Sequence, residues 1–347
     1  MTDVLPISII ISFLLILLNK HSSSKGLQNL RSGPQRFHTE SISRFGGVSI
    51  FVSLFLVSFI LDGGIKEYDL LRIILLSSLP AFLIGLVDDL DFYVKPKLRL
   101  IFISATPILL FYFAEIEVRF VDIFFIDYLL SYDVLALIFI LVAMSAMING
   151  FNIIDGFNGL TLTFSLVLMI SLISSGVYSG DLEWITYFVA IFFAVLGVYI
   201  FNFPFGKIFL GDAGAYLLGI LIPSGLIIYT VDNNLSPWYA MIHLIYPTTE
   251  VIFSFFRKMI IQKKSPLHPD GLHFHMLIYK RLTKKLGIKN MLSRHATVTL
   301  IITLINIPNV VIASAFGDNS TALLLGCLNF ILFYLTIYYL LLPRLRN

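Results

Sequence analysis

Residues 149–161 read NGFNIIDGFNGLT and place three asparagines, one aspartate and three glycines between two long apolar segments. Hydrocarbon does not tolerate such a cluster unless it lines a cavity filled by water or ligand. Asn149, Asn152 and Asp155 recur every three residues, so successive helical turns would present them on roughly one face. Gly150, Gly156 and Gly159 permit tight turns and close approach of a ligand. A plain polar loop between two spans is the simpler alternative. The density of amides and glycine favours a site for a polar, phosphorylated ligand at a membrane surface.

Outward from this stretch, the 347 residues are 58% hydrophobic and 13% charged, with mean hydropathy +0.90. That composition excludes an ordinary soluble domain. Apolar runs reaching the ~18–20 residues needed to cross a bilayer recur along the chain. The expected fold is all-α: a polytopic integral membrane protein of about eleven spans, at 4–18, 45–61, 71–87, 99–114, 133–148, 160–178, 184–202, 214–230, 238–256, 297–315 and 321–342. Residues 116–132 fit an interfacial piece or a short hairpin. The first segment lacks a cationic start and a small-residue cleavage pattern, so it reads as a retained span. The single cysteine, Cys327, lies inside a span and excludes an internal disulfide framework. The whole chain, 1–347, reads as one transmembrane catalytic domain, with a basic, histidine-bearing loop at 257–296.

Of the 24 lysines and arginines, all but Lys66, Arg72 and Arg119 fall on one side of this topology. The positive-inside rule makes that side cytoplasmic and puts the N-terminus in the periplasm. Every polar cluster then lies on the cytoplasmic face. Asp88 and Asp89 end the apolar run AFLIGLVDD, with Lys97 and Arg99 following. Adjacent carboxylates repel unless a cation, metal or proton lies between them, which points to a Mg²⁺ ligand or to a base acting on phosphate. Mg²⁺ favours one or two carboxylates plus substrate phosphates. Asp212, in GDAG at 211–214, begins another span and is either a helix cap or, beside the other acids, a metal ligand; Lys207 is available to phosphate oxygen. The basic loop carries His268, His273 and His275, with no cysteine nearby and no four-ligand zinc spacing. Histidine and lysine there suit a diphosphate. Arg36, His38 and Arg44 precede Gly46 and Gly47 as a basic entrance to the second span. Glu250 is an intramembrane acid, rare without a partner or function.

Together these residues resemble the polyprenyl-phosphate N-acetylhexosamine-1-phosphate transferases, which start peptidoglycan lipid, enterobacterial common antigen, teichoic acid and O-antigen synthesis. The resemblance rests on R-x-H…R-x-G-G at 36–47, V-D-D at 87–89, N-x-x-N-x-x-D-G-x-x-G-L at 149–160, F-x-G-D-x-G at 209–214 and S-P…P-D…H-x-H at 265–275. It implies Asp88 and Asp89 as catalytic groups acting on the lipid phosphate. It also implies Asp212 as a Mg²⁺ ligand, with the Asp155 region and the amides of Asn149, Asn152 and Asn158 contacting metal, nucleotide or diphosphate. His273 and His275 would contact the donor. Lys97, Lys207, Arg44 and His38 complete the expected substrate-binding set. The implied reaction transfers a sugar-1-phosphate, an N-acetylated hexosamine, from a UDP-sugar to undecaprenyl phosphate in the bacterial inner membrane. The chain departs from the family at Asn158, where a second aspartate is frequent, at Gly271, where relatives carry arginine, and at Met276, where many carry a third histidine. The last two departures point to a modified or deoxy sugar. The partners expected are the lipid acceptor, the nucleotide sugar and the bilayer, with no nucleic acid; a homodimer is left open. A transporter or lipid-linked sugar flippase is the rival class, and would spread its ionisable groups through the bilayer and over both faces. A CDP-alcohol-type phosphotransferase would instead gather its aspartates in one compact run.

Overall fold

In the computed structural model the described residues are 3–23, 42–61, 64–263, 265 and 271–342. They form helices α1 (Val4–Ser23), α2 (Gly46–Phe55), α3 (Asp69–Ser77), α4 (Leu79–Asp89), α5 (Pro96–Phe113), α6 (Phe124–Leu130), α7 (Asp133–Ile154) and α8 (Leu160–Ser179). The second half holds α9 (Leu182–Asn202), α10 (Gly211–Asp232), α11 (Pro237–His243), α12 (Ile245–Phe256), α13 (Phe274–Leu277), α14 (Thr283–Lys285), α15 (Met291–Ala315) and α16 (Ser320–Leu341). Seven of these, α5, α7 to α10, α15 and α16, are long and apolar enough to cross a membrane. The chain is thus a polytopic, all-helical membrane protein.

The other four expected spans are shorter or broken. The apolar helices at Val4–Asn19 and Gly46–Leu61 fall short of a full span. The third expected span bends by 53° between Lys66–Ser77 and Leu79–Asp89, and counts as an eighth crossing when the pair is taken together. Pro80, at the start of α4, supplies the break. The ninth divides at Leu244, between α11 and α12, with Pro247 in the first turn of the second piece. Residues 116–132 hold an irregular stretch and the short helix α6.

Helix α10 is the centre. In its most apolar window 83% of residues are buried, against 22% for α5. It packs on α4, α7 and α2. Close passage of α2 needs two glycines: a Cβ on Gly47 would run into the backbone of Gly214, and one on Gly214 would come within 2.8 Å of the Gly47 Cα. Small residues at a crossing let backbones approach where hydrophobic burial alone does not favour association. Around α1, α2 and α9 hydroxyls do similar work. The Ser12 and Ser49 hydroxyls meet at 2.8 Å, Ser49 donates to the Ser8 carbonyl at 2.9 Å, and Ser8 donates to the Ala194 carbonyl at 2.8 Å.

A methyl group at the α2–α10 crossing has no flexible side chain to displace. Gly47→Ala should therefore destabilise the protein by about 1–3 kcal/mol. Gly64→Ala, with nothing within 4 Å of its Cβ, should stay within about 0.5 kcal/mol. Thermal unfolding of both variants in one detergent checks the pair.

Candidate functional site

Three segments distant in sequence meet at the N-terminus of α10. The Asp89 carboxylate accepts the Asp212 N–H on one oxygen and the Ala213 N–H on the other, both at 2.9 Å. A buried carboxylate at a helix N-terminus satisfies amides that lack intrahelical partners and meets the positive end of the helix dipole. Residues 43–47 join from the other side. Gly46 and Gly47 donate to the Phe209 and Leu210 carbonyls at 2.9 and 2.8 Å, and Phe209 donates to the Ser43 carbonyl at 2.8 Å. Gly211 turns the chain into α10 with φ +78°, and a Cβ there would collide with the Arg44 carbonyl and the Asp89 carboxylate.

Asp88, the neighbour of this anchor, points elsewhere. It pairs with Arg99 of α5 at 2.7 Å and is hydrogen-bonded to the Asp212 side chain. Two carboxyl groups in such contact require a proton or a cation between them. Hence the two members of the acidic pair differ. Asp89 is committed to the backbone, while Asp88 and Asp212 face one another.

The stretch at 149–161 divides similarly. Helix α7 runs on to Ile154, so Asn149 and Asn152 lie on its last turns, and the Asn149 amide donates to the Ser145 carbonyl at 2.7 Å. Asp155 follows the helix end. Burial lifts its carboxyl to about 7, and the Thr161 hydroxyl and the Arg44 charge offset this only in part. Arg44 also acts on Asp89, so one exposed arginine lies in the field of both carboxylates. Phe157 is an anchor: it stacks on Tyr279 at 4.9 Å and meets His295 and His275 edge-on at 5.1 and 5.8 Å. Asn158 is a buried strut. Its amide donates to the Pro204 carbonyl at 3.2 Å, its N–H to His295 Nδ1 at 3.4 Å, and its carbonyl accepts the Thr299 hydroxyl at 2.8 Å.

His273 and His275 are also internal, 3% and 0% exposed. His273 Nδ1 lies 2.9 Å from a Glu250 oxygen that also accepts the Phe274 N–H at 3.1 Å, and Tyr334 donates to the other oxygen at 2.9 Å. His275 Nδ1 meets the Tyr246 hydroxyl at 3.2 Å, and its Nε2 faces Gly156, where a Cβ would lie 3.1 Å away. Burial pushes the His275 imidazole down to about 3, so it is neutral. The H-x-H segment thus backs the Asp155–Gly156 turn from inside the protein. Lys97, Lys207 and Arg44 are exposed cations at this end; Lys207 Nζ lies over the Phe205 ring at 5.7 Å. Met276 is buried, so that departure does not change what faces a ligand. His38, with Arg36 and His268, lies outside the described residues.

Among the described residues no three His, Cys, Asp or Glu side chains converge as a metal-binding group. Asp155 therefore does not join Asp88 and Asp212. What remains is a two-carboxylate set, which suits a Mg²⁺ ion that draws its other ligands from substrate phosphate and water.

Residues 71–230, which contain Asp88, Asp89, the stretch at 149–161 and Asp212, match the model of Glycosyl transferase family 4. Over that stretch, a little under half of its length, the chain is similar to this family. Among its relatives, the undecaprenyl-phosphate alpha-N-acetylglucosaminyl 1-phosphate transferase of Thermotoga maritima is 28% identical over 254 residues, 73% of this chain and 74% of the relative. The Escherichia coli K12 protein of the same name is 25% identical over 285 residues, covering 80% and 76%. The matched region supplies the carboxylates, whereas Glu250, His273, His275 and the Phe157 clasp of Tyr279 and His295 depend on residues beyond it.

Two outcomes follow from these environments. Asp155 binds a proton more tightly folded than unfolded, so its ionisation opposes folding and its contribution to stability is lost as pH rises from 3.8 to about 7. Asp155→Asn should flatten that part of the melting-temperature profile. Glu250→Ala should cost about 3–5 kcal/mol by stranding His273, and chemical denaturation in micelles measures it.

Proposed function

We propose that this protein transfers an N-acetylhexosamine-1-phosphate from a UDP-sugar to undecaprenyl phosphate at the cytoplasmic face of a bacterial inner membrane, releasing UMP. The observation that carries the reading is the facing pair Asp88 and Asp212, held at the start of α10 beside Arg99 and Arg44. The names of the Thermotoga and E. coli relatives give the acceptor and make GlcNAc the first sugar to test. The charge distribution supports the cytoplasmic face, and eleven crossings remain the expected count once the short and bent helices are included.

In the proposed reaction an oxygen of the lipid phosphate attacks the β-phosphorus of the nucleotide sugar. A new P–O bond forms, the bond to the α-phosphate oxygen breaks, and UMP leaves. Asp88 and Asp212 would hold a Mg²⁺ ion, which would supply positive charge to the diphosphate. Asp89 fixes the geometry of that pair by clamping the Asp212 and Ala213 amides. Arg99 limits repulsion at Asp88. Arg44, Lys97 and Lys207 offer positive charge to incoming phosphates, and Arg44 lies in the field of the Asp155 carboxyl. Holding two anions in line for displacement is the main demand of such a transfer. The reading fits the first membrane step of a cell-envelope glycan such as O-antigen. A transporter is disfavoured because the convergent acids lie at one end of the bundle.

The test is UMP release by purified protein given undecaprenyl phosphate, Mg²⁺ and a panel of UDP-sugars that includes UDP-GlcNAc and deoxy analogues. Release should require lipid and Mg²⁺, and Asp88→Asn and Asp212→Asn should each lower it by about a hundredfold or more. A folded protein that releases no UMP from any donor would sink the proposal.

A further inference from the structure

We infer that Tyr216 is a positioning residue that holds the Asp212 carboxylate when a divalent cation occupies the Asp88–Asp212 pair, an inference that rests on the metal reading above. Tyr216 follows Asp212 by four residues on α10, so the two share a helix face one turn apart. It is 0% exposed, and its hydroxyl has no hydrogen-bond partner among the described residues. The charged groups that act on it are Asp212, Arg99, Asp88 and Asp89, which together make up the cluster. Tyr187 is equally buried against the same helix, yet its hydroxyl donates to the Leu221 carbonyl at 2.7 Å. A buried phenol left without an acceptor is a cost that folding normally avoids. Here that phenol lies beside the one carboxyl pair whose hydrogen bonding must change on metal binding.

In the metal-free arrangement Asp212 is engaged with Asp88, and Asp88 with Arg99. A divalent cation held by the pair would take the place of the contact between Asp88 and Asp212. Asp212 then has a free lone pair on the face that Tyr216 shares, and the Tyr216 hydroxyl donates to it. Carboxylate ligands are commonly oriented by a hydrogen bond of this kind from a residue that does not touch the metal.

The experiment titrates the full chain in micelles with Mn²⁺, without donor or lipid acceptor, and follows free Mn²⁺ by electron paramagnetic resonance. Tyr216→Phe should bind Mn²⁺ about ten- to a hundredfold more weakly than the parent. Tyr187→Phe, which loses a backbone bond far from the acids, should keep the parent affinity and melt lower. Without metal, Tyr216→Phe should melt at or above the parent temperature, because the deleted hydroxyl had no partner to lose. Equal Mn²⁺ affinity in Tyr216→Phe and parent would overturn the role of Tyr216 and leave the metal reading standing. So would a large metal-free loss of stability in that variant. A folded parent that binds no Mn²⁺ would overturn both.

Discussion

The Asp89 carboxylate, bound by the Asp212 and Ala213 amides, is the constraint on which the rest of this end of the molecule depends. One side chain joins the end of α4 to the beginning of α10. It also sets the direction in which Asp212 leaves the helix. A carboxylate buried to this degree is tolerable only because both its oxygens are satisfied by backbone donors at a helix N-terminus. With Asp89 fixed, the adjacent Asp88 has to emerge on another side of α4, where it meets Arg99 and Asp212. The sequence pair Asp-Asp thus splits into one group bound to the backbone and one paired with Arg99 and Asp212.

A second frame supports the stretch at 149–161 from behind. Glu250 with His273 and Tyr334, and His275 with Tyr246, form two buried groups joined by the stacked His273 and His275 rings, and the second ends on Gly156. Phe157, seated among Tyr279, His275 and His295, fixes the same turn by aromatic contact. Asn158 and Asn202 then tie it to residues 204–208. Residues far apart in the chain converge because the turn has no regular secondary structure of its own to hold it.

The helical spans were legible because apolar runs of membrane length have few other meanings, and most boundaries agree within a few residues. Orders of polarity were harder to read. Asn149 and Asn158 look alike in sequence, yet one bonds back to the Ser145 carbonyl of its own helix and the other braces a neighbouring loop; only the fold distinguishes them. Glu250 stood out as an acid within an apolar run, but its partners lie 23 and 84 residues away. Histidines in a basic loop suggested contact with an anion, and the fold buries both described members of H-x-H instead. Phe157 and Tyr216 carried no signal in a chain with 32 phenylalanines and 16 tyrosines, since aromatic residues are the ordinary filling of such a protein. The short and bent helices escaped because hydropathy registers composition and is blind to a kink at Pro80 or a break before Pro247.

The unequal burial of α5 and α10 has a consequence for access. Arg99 stands on a helix whose neighbouring residues Leu98, Leu100 and Ile101 are exposed, 44%, 47% and 63%, while Asp212 opens the most deeply packed helix of the bundle. The Arg99–Asp88 pair therefore sits on the seam between a rigid interior and the surrounding hydrocarbon. A molecule confined to the plane of the bilayer can reach this seam by sliding sideways, and one dissolved in the aqueous phase can reach it from the end of the bundle. In the proposed reaction the two reactants, of opposite solubility, would then have separate doorways to one pair of charges.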